Sequence, residues 1–571
     1  MIEFKLPVAG VFAAGLALAC APGLTAGPAG AQPAGVATPA APVAPQAPTG
    51  AEVAAAAAPL GEAFASAAFR QAVAEAAYGA ETVAAFYRER EYAPLFTGDD
   101  AGDRARRAAL LRALEAAPRH GLPAQRYRAD DLRALFAGAT SLRARGRAEV
   151  EAAKMFLAYA RDISSGVLEP ARLGLEIPRE LPRRDPAALL AGLAGDDPRG
   201  FVEGLHPQSH EYNRLLAEKM QLERVRAAGG WGPDVPAGRL ERGMSGPAIV
   251  ALRDRLIAKG YLQRTASASY DAALETAVKR FQIDHGLEAD GVAGEGTIAE
   301  VNASVDKRLS QILVALERER WLNLPEGKGA RHVLVNLTDY TAKIVDDGVV
   351  TFETRAVVGA TTSGKPTPEF SDVMEYMELN PTWTVPRGIL ARDYLPRLKR
   401  NPGAAGYLKL VDSRGRVVPR GAVNFSAYSA RTFPFNLVQP PGPRNALGTV
   451  KFMFPNPHAI YLHDTPDKHL FDRHRRAYSS GCIRLKEPHE FAYHLLARQT
   501  ATPKEDFHAI LNTGQIRRIQ LKEPVPVHLT YRTAFTQAKG RVNYREDLYG
   551  RDARLWDALQ AAGVTLDAAR G

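Results

Sequence analysis

Apolar residues recur at two different spacings along the chain. From about residue 60 to 235 they return every three or four positions, as in AFRQAVAEAAYGAETVAAFYRER, which predicts an irregular all-helical scaffold domain. Beyond about Arg331, the stretch HVLVNLTDYTAKIVDDGVVTFETRAVVG alternates apolar and polar residues around an Asp-Asp-Gly turn, which predicts a β-hairpin. A helical part should therefore precede a mainly β part.

A third unit, residues 236–303, lies between these two parts. The stretches SGPAIVALRDRLIAKGYL and DAALETAVKRFQIDHGL each place apolar residues along one helical face, and ADGVAGEGTIAEVN follows as a glycine-rich turn with a short third helix. This three-helix unit resembles the peptidoglycan-binding domain of cell-wall enzymes. The positions that match are Asp290, Gly291, Gly294, Thr297 and Asn302.

The first 31 residues have the pattern of a secretory signal peptide. One lysine precedes an apolar run from Leu6 to Ala19, and small residues follow up to Ala31. The run is shorter than the roughly 20 residues that a membrane-spanning helix needs. Alanine, proline and glycine dominate residues 32–59, which predicts a disordered tether. We therefore expect an exported, periplasmic, cell-wall-associated protein, with Cys20 as an alternative site for a lipid anchor.

Composition narrows the class of protein further. With 571 residues, 46% hydrophobic and 24% charged, the chain should fold into several soluble domains. The formal net charge is +10, but no run of lysine and arginine is interleaved with aromatic residues, so a nucleic-acid partner is not expected. The basic surface could attract acidic cell-wall polymer or lipid head groups, or it could simply be solvated.

Cys482 is the only cysteine outside the leader, and it lies in the stretch RAYSSGCIRLKE. An unpaired cysteine in an exported protein is either a reactive thiol or a buried, inert side chain. A catalytic thiol needs a nearby base, and His463 at the end of the strand-like stretch AIYLH could serve as one. Gly481 would allow a sharp turn, so that peptide N–H groups could face an oxyanion, with Ser479 and Ser480 adding hydrogen bonds.

The spacing of these residues resembles the signature of the L,D-transpeptidase catalytic domain, the YkuD domain. In that signature a histidine closes a strand, and a serine, Gly-Cys and an arginine follow after a spacer, which matches His463, Ser479, Gly481, Cys482 and Arg484. Many members have histidine where this chain has Ser480, but the larger, YcbB-like branch does not. Further stretches similar to that branch are FYREREYAPLF, ELNPTWTVP, QPPGPRNALGTVKFMFPN and YREDLYGRD.

The resemblance implies the remaining architecture. A mainly β, YkuD-like catalytic sandwich is expected over residues 330–515, with a lid insertion at about 391–444 in a stretch rich in glycine, proline and aromatic residues. Residues 516–571 are expected to form a C-terminal segment that packs on this domain. The complete prediction is a multidomain protein with a helical scaffold, a peptidoglycan-binding domain and the catalytic sandwich.

The resemblance also implies a reaction. Cys482 would attack the bond between diaminopimelate and D-alanine of a donor tetrapeptide stem, and His463, oriented by the main-chain carbonyl of Asp464, would move the protons. The thioester would then pass to the amine of an acceptor stem. Arg484 could bind a substrate carboxylate or brace its loop through an ion pair. Tyr461 and Trp383 could line the groove or belong to the core.

Other functions remain open at this stage. Water could replace the acceptor, which would make the protein an L,D-carboxypeptidase or hydrolase of the same fold. In another class, the protein would be a non-catalytic cell-wall-binding scaffold with a structural Cys482. An activated thiol should react below about pH 8.5, where ordinary thiols ionise.

The expected partners follow from the same resemblance. They are donor and acceptor stem peptides, with glycan synthases and D,D-carboxypeptidases as further candidates, and the protein is expected to be a monomer. No cofactor or metal is expected, because the histidines near Cys482 fit no standard short zinc motif.

Overall fold

The computed structural model describes residues 66–362, 364–537 and 540–566. The signal peptide, the tether and the lipid-anchor site at Cys20 lie outside these residues. Within them, no helix combines the length and apolarity that crossing a bilayer would require.

The N-terminal part is helical, as expected from its period. Its apolar faces meet in one core around Tyr87, Leu110 and Phe156, which are fully or almost fully buried. The helices of this part include residues 66–76 and then Glu81–Glu89, Ala101–Ala116, Ala129–Ala137, Leu142–Ser165, Pro186–Leu193, Pro198–Glu203 and His210–Ala227. The last helix packs elsewhere, because Tyr212 and Leu215 join a cluster with the helix Val305–Trp321.

The middle unit contains the three helices Pro247–Ala258, Ala272–Asp284 and Glu295–Val301. Their apolar faces enclose a separate core that includes Leu252, Leu274 and Phe281, all with no exposed area. Gln282 organises the glycine-rich turn, since its side chain donates to Asp290 and the Val292 carbonyl and accepts from the Gly291 N–H.

A long helix, Val305–Trp321, connects this unit to the β domain. The sequence analysis assigned no element there. Several of its charged residues are buried in ion pairs: Arg318 pairs with Glu369 at 3.1 Å and with Asp552, and Arg320 pairs with Glu317 at 2.9 Å. Buried charges are tolerated when they are paired, so this helix can cross the middle of the protein.

The C-terminal part is mainly β, as expected. The Asp-Asp-Gly hairpin is confirmed, because β2 and β3 pair antiparallel on either side of it. Nine strands belong to the main sheet, in the order β10-β3-β11-β9-β8-β4-β12-β1-β2. Their bounds are β1 Arg331–Asn336, β2 Thr341–Asp346, β3 Val349–Gly359, β4 Ser371–Leu379, β8 Val450–Met453, β9 Leu462–His463, β10 Ala477–Ser479, β11 Ile483–Leu485 and β12 Arg517–Thr530.

The strands of this domain form one continuous sheet, whereas a sandwich has two separate sheets. The first half of β3 pairs with β2 and its second half with β11 and β10, so strand pairing continues around the domain. Strand β3 can pair on both sides of this ring because its 11 residues are long enough to reach β2 at one end and β11 and β10 at the other. The core inside this ring contains Met374, Phe452 and Leu529, and the helices Pro488–Leu496 and Pro503–Leu511 follow the ring strands in sequence.

The boundary predicted at residue 516 lies immediately before a strand of the main sheet. Strand β12 pairs parallel with β1 and antiparallel with β4, so residues 517–530 lie inside the sheet rather than on it. Only the later elements pack outside the ring: β13 Ala534–Thr536, β14 Val542–Tyr544 and the helix Arg551–Ala561. Residues 517–530 therefore share one sheet with strands of the predicted catalytic domain.

The lid insertion is a small folded unit that begins earlier than predicted. A three-stranded sheet joins β5 Trp383–Thr384, β6 Lys409–Val411 and β7 Asn436–Gln439, and a continuous helical stretch covers 387–400. The insertion has its own core, which includes Leu398, Phe425 and Leu437. Because β5 belongs to its sheet, the unit begins at residue 383 rather than at 391.

Candidate active site

The predicted nucleophile and base lie on neighbouring strands. His463 ends β9 and Cys482 immediately precedes β11, and these two strands pair in parallel with His463 opposite Arg484. Residues two apart on a strand share a face, so Tyr461 and His463 on one strand lie beside Cys482 and Arg484 on the other.

A cleft of about 880 Å³ lies over this face, between the β domain and the lid insertion. Seven of the eight predicted site residues border it, and the exception is Gly481. They are Trp383, Tyr461, His463, Ser479, Ser480, Cys482 and Arg484. The structure thus brings the predicted residues to one cavity.

The turn that carries Cys482 is held by Ser479. The Ser479 hydroxyl donates to the Cys482 carbonyl at 2.6 Å and accepts from the Gly481 N–H at 3.1 Å. Gly481 has φ of +120°, a conformation that a side chain would disfavour. Ser480 points outward and is exposed at the rim of the cleft.

His463 is buried, and its tautomer follows from its main-chain contact. Nδ1 lies against the carbonyl oxygen of Asp464, which can only accept, so Nδ1 carries the proton and Nε2 is free to act as a base. Burial, together with the positive charge of Arg484, lowers the pKa of His463 to about 3. The imidazole is therefore neutral at neutral pH.

The surroundings of the Cys482 thiol favour its protonated form. Burial raises the pKa of Cys482 to about 11, although hydrogen bonding by Tyr461 and the charge of Arg484 act in the opposite direction. Among the residues that the structure describes, the thiol donates to the Ala459 carbonyl at 3.6 Å, and no hydrogen bond joins it to His463. A thiol in this conformation therefore needs a base to take its proton before it can attack.

Arg484, Tyr461 and Trp383 have mixed roles in the structure. Arg484 donates to Asp467 at 3.0 Å, so it braces the loop, and it also borders the cleft. Tyr461 is half-buried beside Cys482, with ring centroids 5.6 Å from His463. Trp383 is 9% exposed and belongs mainly to the lid core, with only an edge at the cleft.

The lid adds cationic residues that the sequence analysis missed. Arg392, Arg397 and Arg444 border the cleft together with Arg484. Arg392 forms an ion pair with Asp393, whereas Arg397 and Arg444 form no ion pair with any described residue. Arg444 could have been noticed, because it lies in the stretch QPPGPRNALG that resembles the family. That stretch does not show, however, that the Arg444 side chain borders the cleft.

The described residues contain no group of three or more His, Cys, Asp or Glu side chains that could hold a metal ion. One of the other nearby histidines, His489, is half-buried and hydrogen-bonds the Thr449 hydroxyl at 2.7 Å. His458 borders the cleft, and His469 and His474 are exposed.

Comparisons with known families agree with the fold and the site. Residues 330–505 match the L,D-transpeptidase catalytic domain (YkuD), residues 245–300 match a peptidoglycan binding domain, and residues 81–218 match a scaffold domain. These three matches agree with the YkuD-like domain, the peptidoglycan-binding domain and the helical scaffold that the resemblance predicted.

A curated protein of Haemophilus influenzae, named as a candidate L,D-transpeptidase, is 30% identical over 270 residues. The match covers 46% of this chain and 53% of the relative, so the chain spans about half the length of the curated relative that it matches.

Two solved L,D-transpeptidase structures are also similar. The protein from Xylanimonas cellulosilytica is 16% identical, with a TM-score of 0.17, over 52% of this chain and 98% of that one. The protein from Stackebrandtia nassauensis is 15% identical, with a TM-score of 0.20, over 52% of this chain and 97% of that one.

Proposed function

We propose that the protein is a peptidoglycan L,D-transpeptidase with Cys482 as nucleophile and His463 as base. The observation that carries this proposal is the placement of the two side chains on adjacent strands under one cleft, inside a domain that matches the L,D-transpeptidase family. The peptidoglycan-binding domain favours an exported, cell-wall location.

The first half of the reaction needs a neutral base. The thiol turns from Ala459 towards His463, Nε2 takes its proton, and the sulfur attacks the carbonyl carbon between diaminopimelate and D-alanine. Main-chain N–H groups of the Cys482 turn stabilise the oxyanion. The C–N bond then breaks, the imidazolium gives its proton to the amine of D-alanine, and a thioester to Cys482 remains.

The second half uses the same residues in reverse. The side-chain amine of an acceptor stem attacks the thioester carbonyl, His463 takes the proton of that amine, and the sulfur leaves. The product is a direct link between two diamino acids, and the thiol is reprotonated. Neutral His463 suits both halves, since it must accept a proton each time.

The lid arginines suit a donor stem that carries several carboxylates. Arg397 and Arg444 border the cleft without ion-pair partners among the described residues, so their guanidinium groups are available to carboxylate oxygens. We place the donor stem in this cleft.

A second cleft offers a place for the acceptor. It has a volume of about 400 Å³, lies against Ser480 and Gly481, and is walled by residues 174–178 of the scaffold part. The carboxylate of Glu176 borders it and can attract the acceptor amine. The nucleophile turn would then separate the two stems.

The test is mass spectrometry of the products from a disaccharide-tetrapeptide. Wild type should release D-alanine and form dimers joined through two diamino acids. Cys482→Ala should form neither, and His463→Gln should be slower by about 10²-fold or more. His469→Gln, an exposed histidine outside the cleft, should behave as wild type.

Other outcomes separate the alternatives. Release of D-alanine without dimers would indicate an L,D-carboxypeptidase with water as acceptor. No release by wild type, even with glycan synthases or D,D-carboxypeptidases added, would reject the enzyme and favour a non-catalytic cell-wall scaffold. Sedimentation of the purified protein would test the expected monomer.

A further inference from the structure

Residues from the C-terminal segment reach the turn that carries Cys482. The Tyr549 hydroxyl donates to the Gly359 carbonyl at 2.7 Å, and Arg551 Nη2 donates to the Thr367 carbonyl at 2.8 Å. Gly359 ends β3, next to the β10 strand that leads into the turn. Tyr549 and Arg551, which are distant from Cys482 in sequence, therefore hold the C-terminal segment against residues beside the Cys482 turn.

Thr367 connects this segment to the turn itself. Its side chain is fully buried, and its hydroxyl donates to the Gly481 carbonyl at 2.7 Å while accepting from the Gly359 N–H at 2.9 Å. The packing around Gly359 is tight, because a Cβ there would lie only 2.0 Å from the Lys365 carbonyl. Thr367 has little freedom to move.

The bond to the Gly481 carbonyl has a consequence for Cys482. A peptide group is planar, so the direction of the Gly481 carbonyl sets the direction of the Cys482 N–H. The next carbonyl, that of Cys482, is held by Ser479. No acceptor among the described residues takes the Cys482 N–H, which leaves it available to an oxyanion at the attacked carbonyl.

Arg551 is in turn held from several sides. It is 2% exposed, lies over the Tyr549 ring at 4.8 Å, and pairs with Glu369 at 3.5 Å and with Glu176 of the scaffold at 3.4 Å. The C-terminal helix, the scaffold and the β domain meet at this one side chain. Its contact with Thr367 is therefore well supported.

We infer that Thr367, held by Tyr549 and Arg551, is a positioning residue that sets the orientation of the Gly481–Cys482 peptide for thioester formation. The inference rests on the proposed function for its catalytic meaning. Thr367 borders neither of the two clefts, so its effect on the reaction passes through the turn.

Three variants of the full chain and one control test this inference. Thr367→Val keeps the shape but removes the hydroxyl, Thr367→Ser keeps the hydroxyl, and Tyr549→Phe removes the bond to Gly359. Tyr493→Phe is the matched control, because it also removes one hydroxyl from a buried tyrosine. The Tyr493 hydroxyl lies 2.7 Å from His508 Nε2 and makes no hydrogen bond to the Cys482 turn.

Two measurements are made on each protein: steady-state release of D-alanine, and amide hydrogen exchange of the peptide covering 479–485. Thr367→Val should lower kcat by about tenfold or more with little change in KM, which is less than the loss of a whole oxyanion donor. Tyr549→Phe should lower kcat by a smaller factor. Thr367→Ser, which keeps the hydroxyl, should retain most of the wild-type kcat. Exchange in 479–485 should be faster in Thr367→Val and Tyr549→Phe than in wild type.

The inference is overturned if kcat and exchange in both variants match those of Tyr493→Phe. It is also overturned if exchange becomes faster while kcat stays at the wild-type value. If wild type releases no D-alanine, the proposed function fails, and hydrogen exchange still decides whether Thr367 holds the turn. Should Thr367→Val fail to fold, Tyr549→Phe and Thr367→Ser carry the same comparison.

Discussion

Arg484 and His463 are register partners across the parallel strands β11 and β9, which places a guanidinium beside the buried imidazole. Asp467 holds that guanidinium at 3.0 Å. Burial is the larger reason for the low pKa of His463, and the charge of Arg484 adds to it. Arg484 thus helps to keep the imidazole of His463 neutral.

Removing this charge should change the pH dependence of the reaction. In Arg484→Gln, we expect the pKa of His463 to rise, so that the acid limb of the kcat/KM profile for D-alanine release moves to higher pH. His463 stays buried in this variant, so its pKa should recover only part of the way towards the ordinary value of a histidine. Arg475→Gln, an exposed arginine on the same segment, is the control and should leave the limb in place. A limb that is unmoved in Arg484→Gln would contradict the argument.

The reactivity of the thiol provides a second prediction. The pKa of Cys482 is raised to about 11, and the hydrogen bonds from Tyr461 act to lower it. Alkylation of wild-type Cys482 by iodoacetamide should therefore keep rising well above neutral pH. Tyr461→Phe removes the side-chain hydrogen bond but keeps the main-chain one. It should therefore slow alkylation at a fixed pH, by about tenfold for each unit by which the pKa rises.

The measurement is mass mapping of the peptide that contains Cys482, so that Cys20 does not interfere. Tyr478→Phe is a suitable control, since Tyr478 is 48% exposed on the neighbouring strand β10. A plateau of alkylation near neutral pH in the free enzyme would show that the thiolate is already formed, contrary to this structure.

The lid arginines should determine affinity for the donor. If Arg444 binds a stem carboxylate, Arg444→Gln should raise KM about tenfold, since a hydrogen bond to a charged group contributes about 1.5–3 kcal/mol. Arg397→Gln should act in the same direction, and kcat should change less. The KM of wild type should also rise with ionic strength, and that of the variants should rise less.

Arg414→Gln is the control that distinguishes binding by the cleft arginines from a general effect of the lid's net charge on KM. Arg414 is exposed on the same insertion but does not border the cleft. If all three substitutions changed KM equally, general attraction would account for the result. No change in Arg444→Gln and Arg397→Gln would place the donor elsewhere.

The proximity of His463 and Cys482 could be predicted from the sequence for a physical reason. Alternation of apolar residues and the short stretch around Gly481 are local properties, and the strands that they define carry His463 and Cys482 to the same face. Burial of the thiol, by contrast, depends on residues distant in sequence. The sequence alone therefore does not tell that the pKa of Cys482 is raised.

Other misses have the same origin. Strand β12 looked like part of a C-terminal addition, yet its partners β1 and β4 come from far upstream. The helix Val305–Trp321 carries so many charges that its period did not stand out, and only the ion pairs of Arg318 and Arg320 explain its burial. Thr367 gave no signal, because its role lies in two hydrogen bonds across the sheet.

The last prediction concerns acid stability at the junction of scaffold and sheet. Arg179 donates to the Ser371 hydroxyl at 2.6 Å, and this hydroxyl lies 2.8 Å from His528 Nδ1. His528 Nε2 faces the Lys328 carbonyl at 2.9 Å, so Nε2 carries the proton and Nδ1 accepts from Ser371. The ring is held neutral between a donor and an acceptor.

Burial lowers the pKa of His528 to about 3, and the charges of Arg179 and Lys328 and the neighbouring ring of His332 act in the same direction. The unfolded chain takes up the proton at about 6.5, whereas the folded protein resists until far lower pH. The free energy of unfolding should therefore decrease as the pH falls from about 7 to about 5, by up to about 1.4 kcal/mol for each pH unit below 6.5.

His528→Gln tests this link, because an amide can donate to Lys328 and accept from Ser371 without titrating. We expect the variant to be less stable than wild type at neutral pH, but to lose less free energy of unfolding on acidification, as measured by urea denaturation at both pH values. Some pH dependence should remain, since burial also lowers the pKa of His120 to about 3. His469→Gln, which changes an exposed histidine, should keep the wild-type slope. An equal slope in His528→Gln and wild type would mean that His528 is not a source of the acid sensitivity.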